Sequence, residues 1–207
     1  MVSLLWLALS WNSVIVPAEG RTVQVQIIAH AGVEAADLVV ARETMETLLG
    51  QAGIVGEWGE CSAFGPCEGE QGGSTPFVVR LLRLRRPNHD HVCGDFIMDV
   101  ATGSPTILVY LPAVADKVLT IRFSALGRSH PSVSTIEAGH LIGLTIAHEI
   151  GHGLGLRHSA RGVMKADVDM DDILTLRRSR LGFTAKEAAR MRERIDEQRK
   201  LRLQSAS

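Results

Sequence analysis

"HEIGHGLGLRHSARGVM", residues 148 to 164, gathers three of the chain's eight histidines at spacings of four and six, with a glutamate behind the first and glycines between them. On an α-helix His148 and His152 lie about 40° apart and about 6 Å along the axis, so both imidazoles can reach one cation from the same face. Glu149 is turned about 100° from His148, near enough to address water on that cation without being forced to ligate it. Gly153 and Gly155 let the backbone leave the helix through conformations that a side chain forbids, and His158 can then swing back to the same point. Three neutral imidazoles with a fourth position open to water is the arrangement of a catalytic zinc site, whereas a structural site closes the tetrahedron with a fourth protein ligand. The bound water's pKa then falls toward about 7, and Glu149 is placed to take its proton and pass it to a leaving amine. The competing reading, a helix end that happens to be rich in histidine, requires the spacing, the glutamate and the glycines all to coincide.

Working outward, the preceding segment "TIEAGHLIGLTIAHEIGHG" runs as one helix of roughly five turns to a glycine stop, and Ser134 with Glu137 has capping-box spacing at its start. Earlier the period changes. "TVQVQII" places Val23, Val25 and Ile27 on one face and Thr22, Gln24 and Gln26 on the other, which predicts a half-buried strand. Leu38, Ala41, Met45 and Leu48 recur at helical spacing, and Gly50 and Gly53 stop that helix. "IVGEW", "FVVRLLRLRR" (77–86), "DFIMDVA" (95–101) and "PTILVYLP" (105–112) read as further strands, the last apolar enough to be central. Residues 61–76 are rich in Gly, Pro and Ser and predict a loop.

The pattern His148-Glu149-x-x-His152-x-x-Gly155-x-x-His158 resembles the zinc signature of the metzincin metalloendopeptidases, and Ser159 after the third histidine is similar to the matrixin branch. The resemblance implies one catalytic Zn2+ on His148, His152 and His158, Glu149 as general base, and structural support from Gly155 and from Met164 in "RGVM", where the metzincin turn carries a methionine beneath the zinc. An ordinary core methionine is the alternative for Met164. The fold it implies is α+β: a single domain over 21–207 with a twisted, mostly parallel sheet of about five strands, an antiparallel edge strand, a long zinc-binding helix and C-terminal helices (171–203) packed on it.

Bulk properties limit the partners. With 207 residues, 45% of them hydrophobic, the chain suits one domain with a sizeable core. A formal charge of -1 gives no global field to draw it to nucleic acid or an anionic membrane. The first twenty residues are apolar and end in a small-x-small triplet, Ala18-Glu19-Gly20, which predicts a cleaved signal peptide and a secreted or periplasmic protein without stable membrane association; a membrane anchor or a buried first strand are the other readings. Cys61, Cys67 and Cys93 allow one disulfide, either Cys61 with Cys67 or one of these with Cys93, or three free thiols.

Other polar clusters have plainer explanations. His140, two turns before His148, reads as a packed or solvated helix residue, and His130 as loop. His89, Asp90, His91 and Asp95 have the donors for a second cation, although a polar loop explains them better. Asp167, Asp169 and Asp171 mimic a calcium loop, but Asp172 and Arg178 stand where its glycine and glutamate belong, so Asp171 or Asp172 is expected to cap a helix instead. The basic last helix, opened by a Thr184–Glu187 capping box, lacks the interleaved aromatics of a nucleic-acid surface. Two functions follow. One is a zinc endopeptidase whose peptide or protein substrate lies along the edge strand "DFIMDVA", hydrolysed by a zinc-activated water with Glu149 as base. The other is a zinc-binding metzincin-like module that binds peptides without turnover.

Overall fold

The computed structural model describes residues 20–29, 33–61, 76–126 and 137–205. The expected signal peptide, Ser134, His130 and Cys67 lie outside them. Five strands, β1 (Thr22–Ala29), β2 (Val55–Cys61), β3 (Phe77–Leu82), β4 (Gly94–Met98) and β5 (Pro105–Tyr110), form one sheet in the order β2-β1-β3-β5-β4. The first four in that order are parallel, and β4 pairs antiparallel with β5 at the edge. The architecture is therefore α+β with a mostly parallel sheet and an antiparallel edge strand, as the sequence predicts.

Side-chain alternation decides which face is covered. Val23, Val25 and Ile27 of β1, Phe77, Val79 and Leu81 of β3, and Ile107 and Val109 of β5 are buried, and they meet the helices α1 (Ala35–Gln51) and α3 (Ala138–Gly153). These two helices pack unusually close. A β-carbon on Gly139 or Gly143, one turn apart on α3, would run into the backbone carbonyls of Asp37 and Ala41 on α1. Asp37 also caps α3 from outside: its Oδ1 accepts the Gly139 N–H at 2.9 Å. The expected Ser134–Glu137 box involves Ser134, which lies outside the described residues; Glu137 stands at the N-cap of α3 and makes no side-chain capping bond there.

Three further details differ from the sequence reading, and a fourth narrows a choice it left open. β3 stops at Leu82, because Leu84 is exposed and Arg85 and Arg86 turn to Asp116 and Asp95. A helix unforeseen in the sequence, α2 (Leu111–Leu126), follows β5 without a loop and buries Ala113, Val114, Val118 and Ile121. Helix α4 (Met170–Arg177) begins one turn earlier than expected: Asp169, not Asp171 or Asp172, is its N-cap, accepting from the N–H groups of Asp171 and Asp172 while Asp172 reaches back. Cys61 is disulfide-bonded and Cys93 is a free thiol, which excludes pairings through Cys93. The Thr184–Glu187 box does open α5 (Ala185–Ser205), with bonds of 2.7 and 3.3 Å.

Candidate metal centre and cleft

Helix α3 carries His148 and His152, and its end determines where His158 goes. The Gly155 N–H bonds to the His152 carbonyl and the Leu156 N–H to that of Gly151, each at 2.9 Å, with Gly155 at φ +84°. This is the Schellman ending of a helix, which requires a left-handed residue at the position Gly155 occupies. Nothing stands within 4 Å of a β-carbon built there, so the glycine serves backbone conformation, not packing.

The orientation of each ring is fixed by a carbonyl. His148 Nδ1 lies 2.8 Å from the Val163 oxygen and His152 Nδ1 lies 3.0 Å from the Leu156 oxygen. A carbonyl only accepts, so Nδ1 donates in both rings and Nε2 presents a lone pair. His152 Nε2 is 3.0 Å from His148 Nε2 and 3.2 Å from His158 Nε2, and the three ligand atoms lie within 4.8 Å of one another. Two lone-pair nitrogens at such a distance repel. Nitrogen–metal bonds of about 2.0–2.1 Å at tetrahedral angles would set neighbouring nitrogens about 3.3 Å apart. The three residues thus fit a metal ion, and the group could hold one.

Burial prepares the rings for that role. It pushes the His148 imidazole down to about 4, with the neighbouring His152 and His158 acting the same way and the Val163 carbonyl opposing them. His152 is lowered too, by burial first and by His158, against the Leu156 carbonyl. Both are neutral near pH 7, the form that ligates.

Met164 packs against α3. It is fully buried, and a β-carbon on Gly151 would stand 2.5 Å from its sulfur, so the thioether presses on α3 one turn past His148. The Ser159 N–H bonds to the Met164 carbonyl at 2.9 Å, and Gly162 at φ +78° turns the chain between them. The tight turn presents the Val163 carbonyl to His148.

Glu149 points to the sheet edge. It is 6% exposed, and Gly94 lets α3 come close there: a β-carbon would run into Thr145 Cγ2 and stand 3.1 Å from Glu149 Oε1. Burial first, and the Asp95 carboxylate second, push its carboxyl up to about 8, against the Phe96 backbone N–H and Arg86, which favour the charge. Asp95 itself is held by Arg86 at 2.8 Å and by the Tyr110 hydroxyl at 3.1 Å. The Tyr110 N–H bonds to the Cys93 carbonyl and the Asp99 N–H to that of Ser104, so alternation turns the backbone groups of Gly94, Phe96 and Met98 to the outer edge of β4, where no strand pairs among the described residues and the Phe96 N–H meets Glu149. Histidines, Glu149 and β4 together line a cleft of about 610 Å³.

The structure therefore brings together His148, Glu149, His152, Gly155, His158 and Met164. His140 is half-buried beside Glu137, Asp37 and Arg177. His89 and His91 meet ring edge to face at 6.4 Å, Asp95 is engaged elsewhere, and among the described residues these groups form no metal-holding set. Asp167 pairs with Lys117 at 2.6 Å, so it too is no calcium ligand set with Asp169. The sequence reading missed Arg86 and Lys117 as members of the cleft and Tyr110 as the partner that holds Asp95; no local spacing announces them. Compared with known proteins, the chain matches no family model and no curated protein.

Proposed function

We propose that the chain is a secreted or periplasmic zinc endopeptidase of metzincin type. The observation that carries this reading is one juxtaposition: a buried carboxylate, Glu149, adjacent in sequence to a ligand of a three-histidine group and facing, in the same cleft, the edge strand β4, which has no outer strand partner among the described residues. A binding site for metal alone has no need of that carboxylate. The bound cation would supply Lewis acidity toward the scissile carbonyl and lower the pKa of a nearby water. Gly94 and Met98, whose backbone groups on the β4 edge join no ladder among the described residues, order an extended peptide by main-chain hydrogen bonds. Glu149 takes a proton from the attacking water and returns it to the leaving amine. A dication beside it opposes the desolvation that raises its carboxyl and keeps it ionised as a base. No helix of the described residues is long and apolar enough to cross a membrane.

The test is a diverse peptide library incubated with the zinc-loaded protein and with Glu149→Ala, read by mass spectrometry. The reading predicts cleavages that fall by about 10²- to 10⁴-fold in the variant while its zinc is retained. Zinc bound in both with no cleavage in either would transfer the assignment to the peptide-binding module. Zinc lost and cleavage kept in the variant would refute the role of Glu149.

A further inference from the structure

Three cations line the cleft, Arg86, Lys117 and Lys165, and two of them are occupied by the fold. Arg86 meets Asp95 at 2.8 Å, and Asp95 is tied again by Tyr110. Lys165 is shared by Asp169 at 2.6 Å and Asp172 at 2.7 Å, the same carboxylates that cap α4. Lys117 differs. It projects from the middle of α2 with its side chain 22% exposed, but its ion-pair partner among the described residues, Asp167 at 2.6 Å, is 85% exposed. The neighbouring Asp116 is engaged by Arg85 at 2.8 Å and does not compete.

A carboxylate as open as Asp167 keeps most of its hydration in the pair, so breaking the pair costs little. The ammonium, by contrast, is held on a helix and partly shielded from water. A carboxylate arriving on a bound peptide can replace Asp167, which returns to solvent. Leu141 and Leu144, two turns and one turn before His148 on α3, line the same cleft with Val168 and suit the methylenes of such a side chain. We infer that Lys117 is a specificity-determining residue: it selects peptides that carry an acidic side chain, Glu or Asp, in the subsite between α2 and residues 166–168, with Asp167 as the exchangeable occupant. This rests on the peptidase reading for its meaning in catalysis, although the binding step stands without turnover.

The experiment uses the zinc-loaded Glu149→Ala protein, with Glu149→Gln as a second background, so that bound peptides stay intact. Fluorescein-labelled hexapeptide pools, amidated at the C-terminus and fixed in turn as Glu, Gln, Lys or Ala at each position, are measured by fluorescence anisotropy. One position should favour Glu over Gln by about tenfold or more, as a charge-assisted contact does. Lys117→Gln should erase that ratio, Lys117→Glu should transfer it to the Lys pool, and Asp167→Asn should strengthen Glu binding several-fold. Equal binding of Glu and Gln pools, a ratio that survives Lys117→Gln, or no bound pool at all overturns the inference. A parallel set of pools with a free C-terminus is the control: a gain seen only there assigns the carboxylate to the peptide end and overturns the side-chain claim. Wild-type protein on the same pools separates the two readings. Cleavage without acidic preference overturns the role of Lys117 and leaves the peptidase standing; Lys117-dependent binding without cleavage does the reverse.

Discussion

At the scale of the residue, Glu149 gives a pH dependence with a definite sign. In the metal-free folded protein its carboxyl is raised to about 8, from an ordinary value of 4.5. Between these values the folded state holds a proton that the unfolded chain has lost. The contribution of this group to stability therefore declines as pH rises through the window, and the loss is complete above it. Glu149→Gln removes the penalty. With a chelator present, the variant should melt above wild type at pH 8 and the gap should close as pH falls to 4.5; a gap independent of pH would contradict the assigned burial. His148, displaced the opposite way, is common to both proteins and cancels from the comparison. His148, His152 and Glu149 were legible in sequence because helix spacing places them, and His158 because Gly155 ends the helix and turns the chain back. The Val163 and Leu156 carbonyls that orient the rings were not, since a backbone acceptor leaves no mark on residue identity. Lys117 reaches Asp167 across 50 positions of sequence, which no local pattern encodes.

At the scale of the element, the metal helix is located by another helix. Gly139 and Gly143 admit the α1 backbone, and Asp37 supplies the first-turn cap. Gly143→Ala should destabilise by about 1–3 kcal/mol through overpacking, and Asp37→Ala by about 1 kcal/mol through loss of the cap. Each kcal/mol lowers Tm by about 2–4 °C in a chain of this size, which a thermal melt resolves. Unchanged melting in Gly143→Ala would mean that the helices are not in such close contact. The glycines were visible in the sequence as helix residues, but their partners on α1 were not. Helix α2 escaped notice because "PTILVYLP" runs apolar from strand into helix without a turn signal. Pro112 in its first turn and the helical spacing of Val114, Val118 and Ile121 were the clues. The β4 strand and its place at the edge were both expected, and the order β2-β1-β3-β5-β4 bears that place out.

At the scale of the whole molecule, the parallel strands and α1 position α3, and α3 faces the antiparallel edge across the cleft. Glu149 lies between them, and Gly94 lets α3 approach the edge strand by leaving space for Thr145 and Glu149. The ends of the domain are tied together as well: Arg21 before β1 binds Asp196 of α5 at 2.9 Å, and Arg192 of α5 donates to the Ala52 carbonyl at 2.6 Å. Everything in the account depends on a metal at the point where the three Nε2 atoms converge. The most direct measurement is zinc per chain by atomic emission, on wild type, His152→Ala and Glu149→Ala purified alike and dialysed against trace zinc. The account predicts about one zinc in wild type, the same in Glu149→Ala, and little in His152→Ala, since His152 lies between the other two ligands. Wild-type protein without zinc, or His152→Ala that retains it, would contradict the centre itself.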